Sequence, residues 1–137
     1  IVRDLRPTAL DQLGLIGAVS EFTRMLADDL EIHLSLPSAP PQLPAAVEVA
    51  VYRIVTEALT NVVRHANAER CWLRIVADDL VEIDVIDDGI GIDQPRSDGV
   101  GVTAMRERAA ELGGAVRFLP GPTCGTHLHV QLPTALP

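Results

Sequence analysis

The stretch from Ala45 to Ala66 constrains the fold more than any other part of the sequence, because it contains neither Gly nor Pro. Its apolar residues recur at steps of three and four positions, which is the period of an α-helix with one buried face. The residues of this stripe are Val47, Val51, Ile54, Val55, Ala58 and Val62. Pro44, just before it, suits the first turn of a helix. The sequence therefore predicts one long amphipathic helix.

The rest of the chain mixes shorter helices with strands. Helical spacing predicts a helix from about Asp11 to Asp29, after an entry turn, and another over Thr103–Leu112 that ends at Gly113. Alternating or continuous apolar runs predict five strands, at Ile32–Leu36, Cys71–Ala77, Leu80–Ile86, Ala115–Leu119 and Thr126–Leu132. The turn at Asp78–Asp79 predicts a hairpin. We expect an α+β fold, a two-layer α/β sandwich whose mixed, mostly antiparallel sheet is covered on one face by helices.

Composition excludes several classes of protein. Hydrophobic residues make up 47% of the 137 residues, too many for a disordered chain. The net charge of −8 argues against a surface for nucleic acid or anionic membrane, and no apolar run approaches the roughly 20 residues that span a bilayer. Cys71 and Cys124 form no disulfide framework, so a reduced cytosolic domain is the favoured interpretation.

Four polar residues share one edge of the long helix. With Glu57 as zero and about 100° per residue, Asn61 falls at about 40°, Arg64 at about −20° and His65 at about 80°. On periodicity alone, a solvated helix face is the favoured explanation of such a pattern. However, Glu can act as a general base, the Asn carbonyl can ligate Mg²⁺, and Arg and His can bind phosphate oxygens. These residue types suit a nucleotide-phosphate site.

A second polar segment, with Asp87, Gly89 and Gly91, follows the third predicted strand. An Asp at the end of a buried strand can accept a hydrogen bond from an exocyclic amine, although Asp-Gly pairs are also common in ordinary turns. The Gly-x-Gly spacing recurs at Gly99–Val100–Gly101, directly before a predicted helix, where backbone N–H groups suit phosphate binding. The two glycine segments together favour a nucleotide site over a simple turn.

His127 and His129 lie two positions apart in a predicted strand and therefore point to the same face. They could ligate a metal ion, but no neighbouring Cys or third His supports this. Ordinary strand residues are the favoured interpretation.

These segments resemble the nucleotide-binding motifs of sensor histidine kinases. Glu57–Ala66 resembles the N box, Asp87–Gly91 the first glycine box, Gly99–Gly101 the second, and Gly125–Thr126 the terminal Gly-Thr element. The order and spacing agree over roughly residues 30–133. Flanking segments resemble the nitrate-sensor-like subfamily, namely Leu5–Pro7, Leu13–Leu15, Met105–Ala109 and Leu112–Gly114.

The resemblance implies a Bergerat-type ATP-binding fold and a role for each matching residue. Asn61 would ligate Mg²⁺, and Glu57 would be catalytic, as a base or water-orienting acid. The other implied ATP contacts are Arg64 and His65 near the phosphates, Asp87, Gly89, Gly91 and Thr126 around adenine, and Gly99, Val100 and Gly101 at the lid. The lid itself would be short, over Asp93–Asp98.

Two departures from the family pattern bear on the lid. The family usually has Leu and then Gly before Met-Arg-Glu-Arg, whereas this chain has Val102, Thr103 and Ala104. The extra methyl of Ala104 affects the expected nucleotide affinity and lid mobility but not the expected fold.

The resemblance further implies that this chain transfers the γ-phosphoryl group of Mg·ATP to a histidine on a dimerisation domain of the same parent protein. None of the four histidines has the context of that acceptor, so the chain alone is expected to bind ATP without autophosphorylating. Residues 1–30 would lead from the dimerisation region, and residues 31–137 would form the catalytic domain. A homodimeric parent, a response regulator as partner, a cytoplasmic location and no direct membrane contact are implied as well. Two alternatives stay open, an anti-sigma-factor-type serine kinase and a non-catalytic nucleotide-sensing or docking module.

Overall fold

The computed structural model describes residues 5–91 and 100–135. Its helices are α1 (Thr8–Met25), α2 (Ala45–Asn61) and α3 (Val100–Glu111), and a π-helical turn over Val62–Ala66 continues α2. Its strands are β1 (Glu31–Ser35), β2 (Arg70–Ala77), β3 (Leu80–Asp87), β4 (Ala115–Pro120) and β5 (Thr126–Pro133). The expected α+β fold is confirmed.

The five strands form one sheet in the order β1-β2-β3-β5-β4. β1 pairs with β2 in parallel, and the other three pairings are antiparallel, including the predicted hairpin of β2 and β3. Every second residue of β3 is buried, at Val81, Ile83, Val85 and Asp87. Because successive side chains alternate between the two faces, the residues between them lie on the open face of the sheet.

The core lies between the helices and one face of the sheet. α2 runs through its centre, with Val47, Val51, Ile54 and Val55 fully buried. Aliphatic side chains from α1, α3 and the strands complete the same cluster. This aromatic-poor core follows from the composition. In the part of the chain that the structure describes, no helix is long and apolar enough to cross a membrane.

Each of the three helices differs from its predicted bounds. α1 begins at Thr8, bends at Gly14 (φ 71°), and ends at Met25 rather than Asp29. The residues after it form a turn in which the N–H groups of Asp29 and Leu30 donate to the Leu26 carbonyl. Two acidic residues, Asp28 and Asp29, are unfavourable at the negative end of a helix dipole, which accounts for the earlier end.

The other two differences concern the predicted site. The long helix is α-helical only to Asn61 and then widens into the π-helical turn, which ends at Ala66 and is followed by Asn67 with φ 51°. α3 begins at Val100, three residues before the predicted start, and therefore includes Gly101.

Candidate functional site

A cavity of about 420 Å³ lies between α2, α3 and the helix-covered face of the sheet. Its apolar lining comes from both helices and from three strands, at Ala58, Val62, Ala66, Val85, Val102, Met105, Phe118 and Leu128. Its polar lining consists of Glu57, Asn61, Arg64, His65, Asp87 and Thr126, with Gly91 and Gly101 at the backbone. An apolar cavity with a few convergent polar groups is typical of a small-molecule site.

Asp87 is the buried acid of this cavity. It ends β3 and is only 4% exposed. Its Oδ1 accepts a hydrogen bond from the Gly89 N–H at 2.8 Å, and the backbone N–H of Thr126 also donates to the carboxylate. Burial raises the pKa of Asp87, and these two N–H groups partly offset the rise. A carboxylate has about four acceptor positions, so two bonds leave capacity for a donor on a ligand.

The end of the long helix is joined directly to the loop after Asp87. The Ile90 N–H donates to the Ala66 carbonyl at 2.8 Å. Gly89 packs so closely on this carbonyl that a Cβ there would lie 2.1 Å from the Ala66 oxygen. Only glycine fits this approach, which holds the loop and its buried acid beside the π-helical turn.

Asp88, next in the chain, has a different role. Its Oδ1 accepts hydrogen bonds from the N–H groups of Glu69 and Arg70, at 2.9 and 3.0 Å. These bonds, that of Arg70 first, hold the pKa of Asp88 below its usual value. Asp88 therefore fixes the start of β2 and is not part of the cavity lining.

The polar edge of the long helix faces the same cavity. Glu57 and Asn61 are half-buried and one helical turn apart, whereas Arg64 and His65 are exposed on the π-helical turn. α3 packs against this edge through Gly101, where a Cβ would lie 2.2 Å from Glu57 Oε2. The missing side chain at position 101 thus leaves room for the Glu57 carboxylate.

The structure brings most of the predicted site residues together. Glu57, Asn61, Arg64, His65, Asp87, Gly91, Gly101 and Thr126 line the cavity. Gly89 lies behind it, against Ala66. The predicted lid, Asp93–Asp98, and Gly99 lie outside the described residues. Val100 is the first residue of α3.

Sequence reasoning did not find the apolar wall of the cavity. Met105 on α3 and Phe118 on β4 both line it, and the Arg106 guanidinium lies 5.3 Å from the centre of the Phe118 ring. These residues have ordinary helix and strand spacing, so no local signal distinguishes them from other core residues.

Comparison with known proteins agrees with this geometry. Residues 46–136 match the family described as the histidine kinase-, DNA gyrase B-, and HSP90-like ATPases. The chain belongs to this ATPase family. Sequence relatives of this ATPase domain include the sensor histidine kinase NarS of Mycobacterium tuberculosis, 33% identical over 95% of this chain and 32% of NarS. Another is the sensor histidine kinase LiaS of Bacillus subtilis, 30% identical over 94% of this chain and 37% of LiaS.

Solved structures show the same fold. The ATP-binding domain of PrrB from Mycobacterium tuberculosis is 25% identical, with a TM-score of 0.67 over 90% of this chain and 94% of PrrB. The histidine kinase domain of a blue-light activated kinase from Erythrobacter litoralis is 20% identical, with a TM-score of 0.71 over 96% of this chain and 63% of the other. The prediction of an ATP-binding domain of the sensor-histidine-kinase type is confirmed. The ATPase domain spans about a third of the length of the curated relatives named above.

Replacing Gly125 with Ala should lower the free energy of unfolding of the ATPase domain. Gly125 has φ 77°, and a Cβ there would lie 2.1 Å from the Asp87 carbonyl oxygen and 2.7 Å from its Oδ1. We expect a loss of about 2–4 kcal/mol, because backbone strain and displacement of β3 add together. Chemical denaturation measures this loss. The matched control is Gly113→Ala, at φ 82° with no atom within 4 Å, which should cost only about 1 kcal/mol. Equal losses in both variants would contradict the close contact.

Proposed function

We propose that the cavity binds ATP with the adenine amine at Asp87. The observation that carries this proposal is the placement of one buried carboxylate at the end of an otherwise apolar slot, opposite a polar helix edge. The ring stacks in the apolar slot, and its exocyclic amine donates to the carboxylate. Gly89, Gly91 and Thr126 shape this end of the cavity, the last through its N–H bond to Asp87.

The phosphates then lie along the polar edge of the long helix. Arg64 and His65 are on the exposed side of the cavity, where they can contact phosphate oxygens. This local positive charge matters because the chain carries a net charge of −8 and ATP is itself an anion. Gly99, Val100 and Gly101 form the hinge of the lid in this proposal, and backbone N–H groups at the start of α3 face the phosphates.

Mg²⁺ fits the donor set of this edge. The Asn61 carbonyl oxygen is a neutral hard ligand, and the Glu57 carboxylate is on the same cavity wall one turn away. We assign Asn61 as the protein ligand of Mg²⁺ and Glu57 as the base, or the acid that orients the attacking group. A bound Mg²⁺ supplies charge neutralisation on the phosphates, and catalysis otherwise rests on positioning.

The complete reaction requires a partner domain. We propose that the γ-phosphoryl group passes to a histidine on a dimerisation domain of the same, homodimeric parent protein and from there to a response regulator. Residues 1–30 connect to that domain. In the structure, Arg6 joins this segment to α2 by an ion pair with Glu48 at 2.6 Å and also pairs with Asp11 of α1 at 2.6 Å. Leu5 and Leu13 remain 69% and 50% exposed, as expected of side chains that face another domain. We place this domain in the cytoplasm, with no contact to membrane or nucleic acid.

Two measurements test the function. Calorimetry should show that the chain binds ATP in preference to GTP, and no binding of either would overturn the proposed site. The chain and its parent are then incubated with labelled ATP. Acid-labile phosphate should form only on the parent. Acid-stable phosphate on a protein substrate would instead indicate a serine kinase, and ATP binding without any transfer would indicate a nucleotide-sensing module.

Replacing Asn61 with Asp should change the Mg²⁺ dependence of ATP binding more than its base selectivity. The added negative charge repels the phosphates when the metal is scarce, at a cost of about 1–2 kcal/mol, or roughly tenfold in affinity. Calorimetry across a range of Mg²⁺ concentrations measures this change. The control is Asn67→Asp, an exposed Asn just beyond the π-helical turn and outside the cavity lining. An unchanged metal dependence in Asn61→Asp would count against the assigned ligand.

A further inference from the structure

A second polar cluster lies on the open face of the sheet, on the side away from the helices. Asp84 of β3 is paired directly with His129 of β5. His127 lies two residues before His129, on the same face of the sheet. His127 Nε2 and His129 Nδ1 each lie 2.7 Å from the same atom, Asp84 Oδ1. The two rings are nearly perpendicular, at 77°. His127 thus contacts the shared Asp84 oxygen through Nε2, and His129 contacts it through Nδ1.

The three side chains are shielded but still accessible. Their exposed fractions are 13% for Asp84, 17% for His129 and 26% for His127. All three ligand atoms lie within 4.8 Å of one another. Small side-chain rotations therefore suffice to place them around one ion at the roughly 2.0–2.2 Å typical of zinc with nitrogen and oxygen ligands. The partial exposure of these side chains leaves the cluster accessible from solvent.

We propose that Asp84, His127 and His129 form a binding site for a divalent transition-metal ion of the zinc class. Two imidazole nitrogens and one carboxylate oxygen are the donor set that such ions prefer, whereas Mg²⁺ prefers oxygen ligands alone. The site is therefore chemically distinct from the one assigned at Asn61, and it lies on the opposite face of the sheet.

The surroundings of the cluster support this assignment. Glu82 Oε1 lies 3.6 Å from His129 Nε2, the ring nitrogen that does not face Asp84. Without a metal, Nδ1 carries the proton that it donates to Asp84. When a metal ion displaces this proton, the Glu82 carboxylate favours the tautomer with the proton on Nε2, and the lone pair of Nδ1 binds the metal. Arg74 NH1 lies 3.6 Å from Asp84 Oδ2, not from the shared oxygen, and the arginine is 59% exposed. Its charge can therefore turn toward solvent when a cation binds.

An occupied site would link β3 to β5. The same two strands contain Asp87 and Thr126, which line the nucleotide cavity. Metal binding would thus stabilise the part of the sheet that holds the buried acid in place. Binding to the folded form alone raises the free energy of unfolding by mass action.

The test is a Zn²⁺ titration of the 137-residue chain, without a polyhistidine tag, without nucleotide and in excess Mg²⁺. Calorimetry should give one ion per chain, and Co²⁺ should produce visible absorption bands of a low-coordinate nitrogen and oxygen site. His127→Gln, His129→Gln and Asp84→Asn should each weaken Zn²⁺ binding by about tenfold or more. The matched control is His33→Gln, which removes another imidazole paired with a carboxylate, Glu31, at 2.6 Å and should leave the affinity unchanged.

Nuclear magnetic resonance keeps the test valid if a variant fails to fold. In the unaltered chain, Zn²⁺ should shift the imidazole ¹⁵N resonances of His127 and His129 and leave those of His33 in place. Absence of saturable Zn²⁺ binding would overturn the site and identify the cluster as a hydrogen-bonded pair of histidines only. An equal loss of affinity in His33→Gln would overturn it too. Neither result bears on ATP binding, so failure here is separate from failure of the proposed function.

Discussion

Replacing Asp87 with Asn should reduce the affinity for ATP by roughly a hundredfold or more. The Asn carbonyl would still accept the Gly89 N–H, which binds Oδ1, so its NH₂ group would take the place of Oδ2. An amine facing an amine loses a charge-assisted hydrogen bond and leaves a buried donor unpaired, at about 3 kcal/mol. Calorimetric titration with ATP measures the loss, and an unchanged affinity would refute the role of Asp87.

The same variant should not be less stable. Burial raises the pKa of Asp87 in the folded protein above its unfolded value. A group with a raised folded pKa contributes stability that is fully present below the unfolded pKa and is lost as pH rises through the folded pKa. At neutral pH the ionised carboxylate therefore lowers the free energy of unfolding of the nucleotide-free domain. Asn has no charge to bury, so thermal unfolding without nucleotide should occur at an equal or higher temperature.

Asp88→Asn is the matched control, because Asp88 is adjacent in sequence but binds backbone N–H groups of Glu69 and Arg70. Its pKa is lowered, so its stabilising contribution is present above the unfolded pKa and is lost as pH falls through the folded pKa. This variant should lower stability at neutral pH while ATP affinity stays within a few fold. The two neighbouring substitutions thus have opposite effects on binding and stability. A shared loss of binding would indicate general damage to the loop instead of a specific contact at Asp87.

Local sequence patterns predicted most of the fold and the polar half of the cavity. The predicted strand Leu80–Ile86 put Asp87 at the end of a buried strand, and in the structure Asp87 continues the buried series of Val81, Ile83 and Val85. Helical spacing placed Glu57 and Asn61 on one edge of the long helix, and the motifs indicated that this edge and Asp87 belong to one nucleotide site. Such patterns are local in the sequence, so they can be recognised without knowledge of the tertiary structure.

Features that depend on tertiary contacts could not be predicted in this way. Val62 and Ala66 are both buried, and a spacing of four fits an α-helix as well as a π-helical turn, so the widening left no trace in the pattern. Gly101 has low helix propensity and indicated a loop, yet it is helical because α3 packs against Glu57 there. The proximity of Asp84 to His129 follows from strand register, which the sequence of either strand alone does not specify.

Replacing Glu57 with Gln in the parent protein should slow phosphoryl transfer by about 10²–10⁴-fold while ATP affinity changes only a few fold. Gln keeps the size and the carbonyl oxygen of Glu57 and therefore its packing on Gly101, but it cannot accept a proton. A loss confined to the rate of transfer follows if the group acts on the reacting atoms and does not bind the nucleotide. Rates of acid-labile phosphate formation at several ATP concentrations separate kcat from KM.

The control for this loss is Glu111→Gln, which removes an exposed carboxylate at the end of α3, outside the lining of the ATP cavity. Its transfer rate should equal that of the unaltered protein, because this carboxylate does not line the cavity in which Mg·ATP is proposed to bind. If Glu57→Gln instead lost ATP binding in proportion to its rate, Glu57 would be a binding residue. A rate equal to that of the control would show that positioning and charge neutralisation at Asn61 suffice without a base.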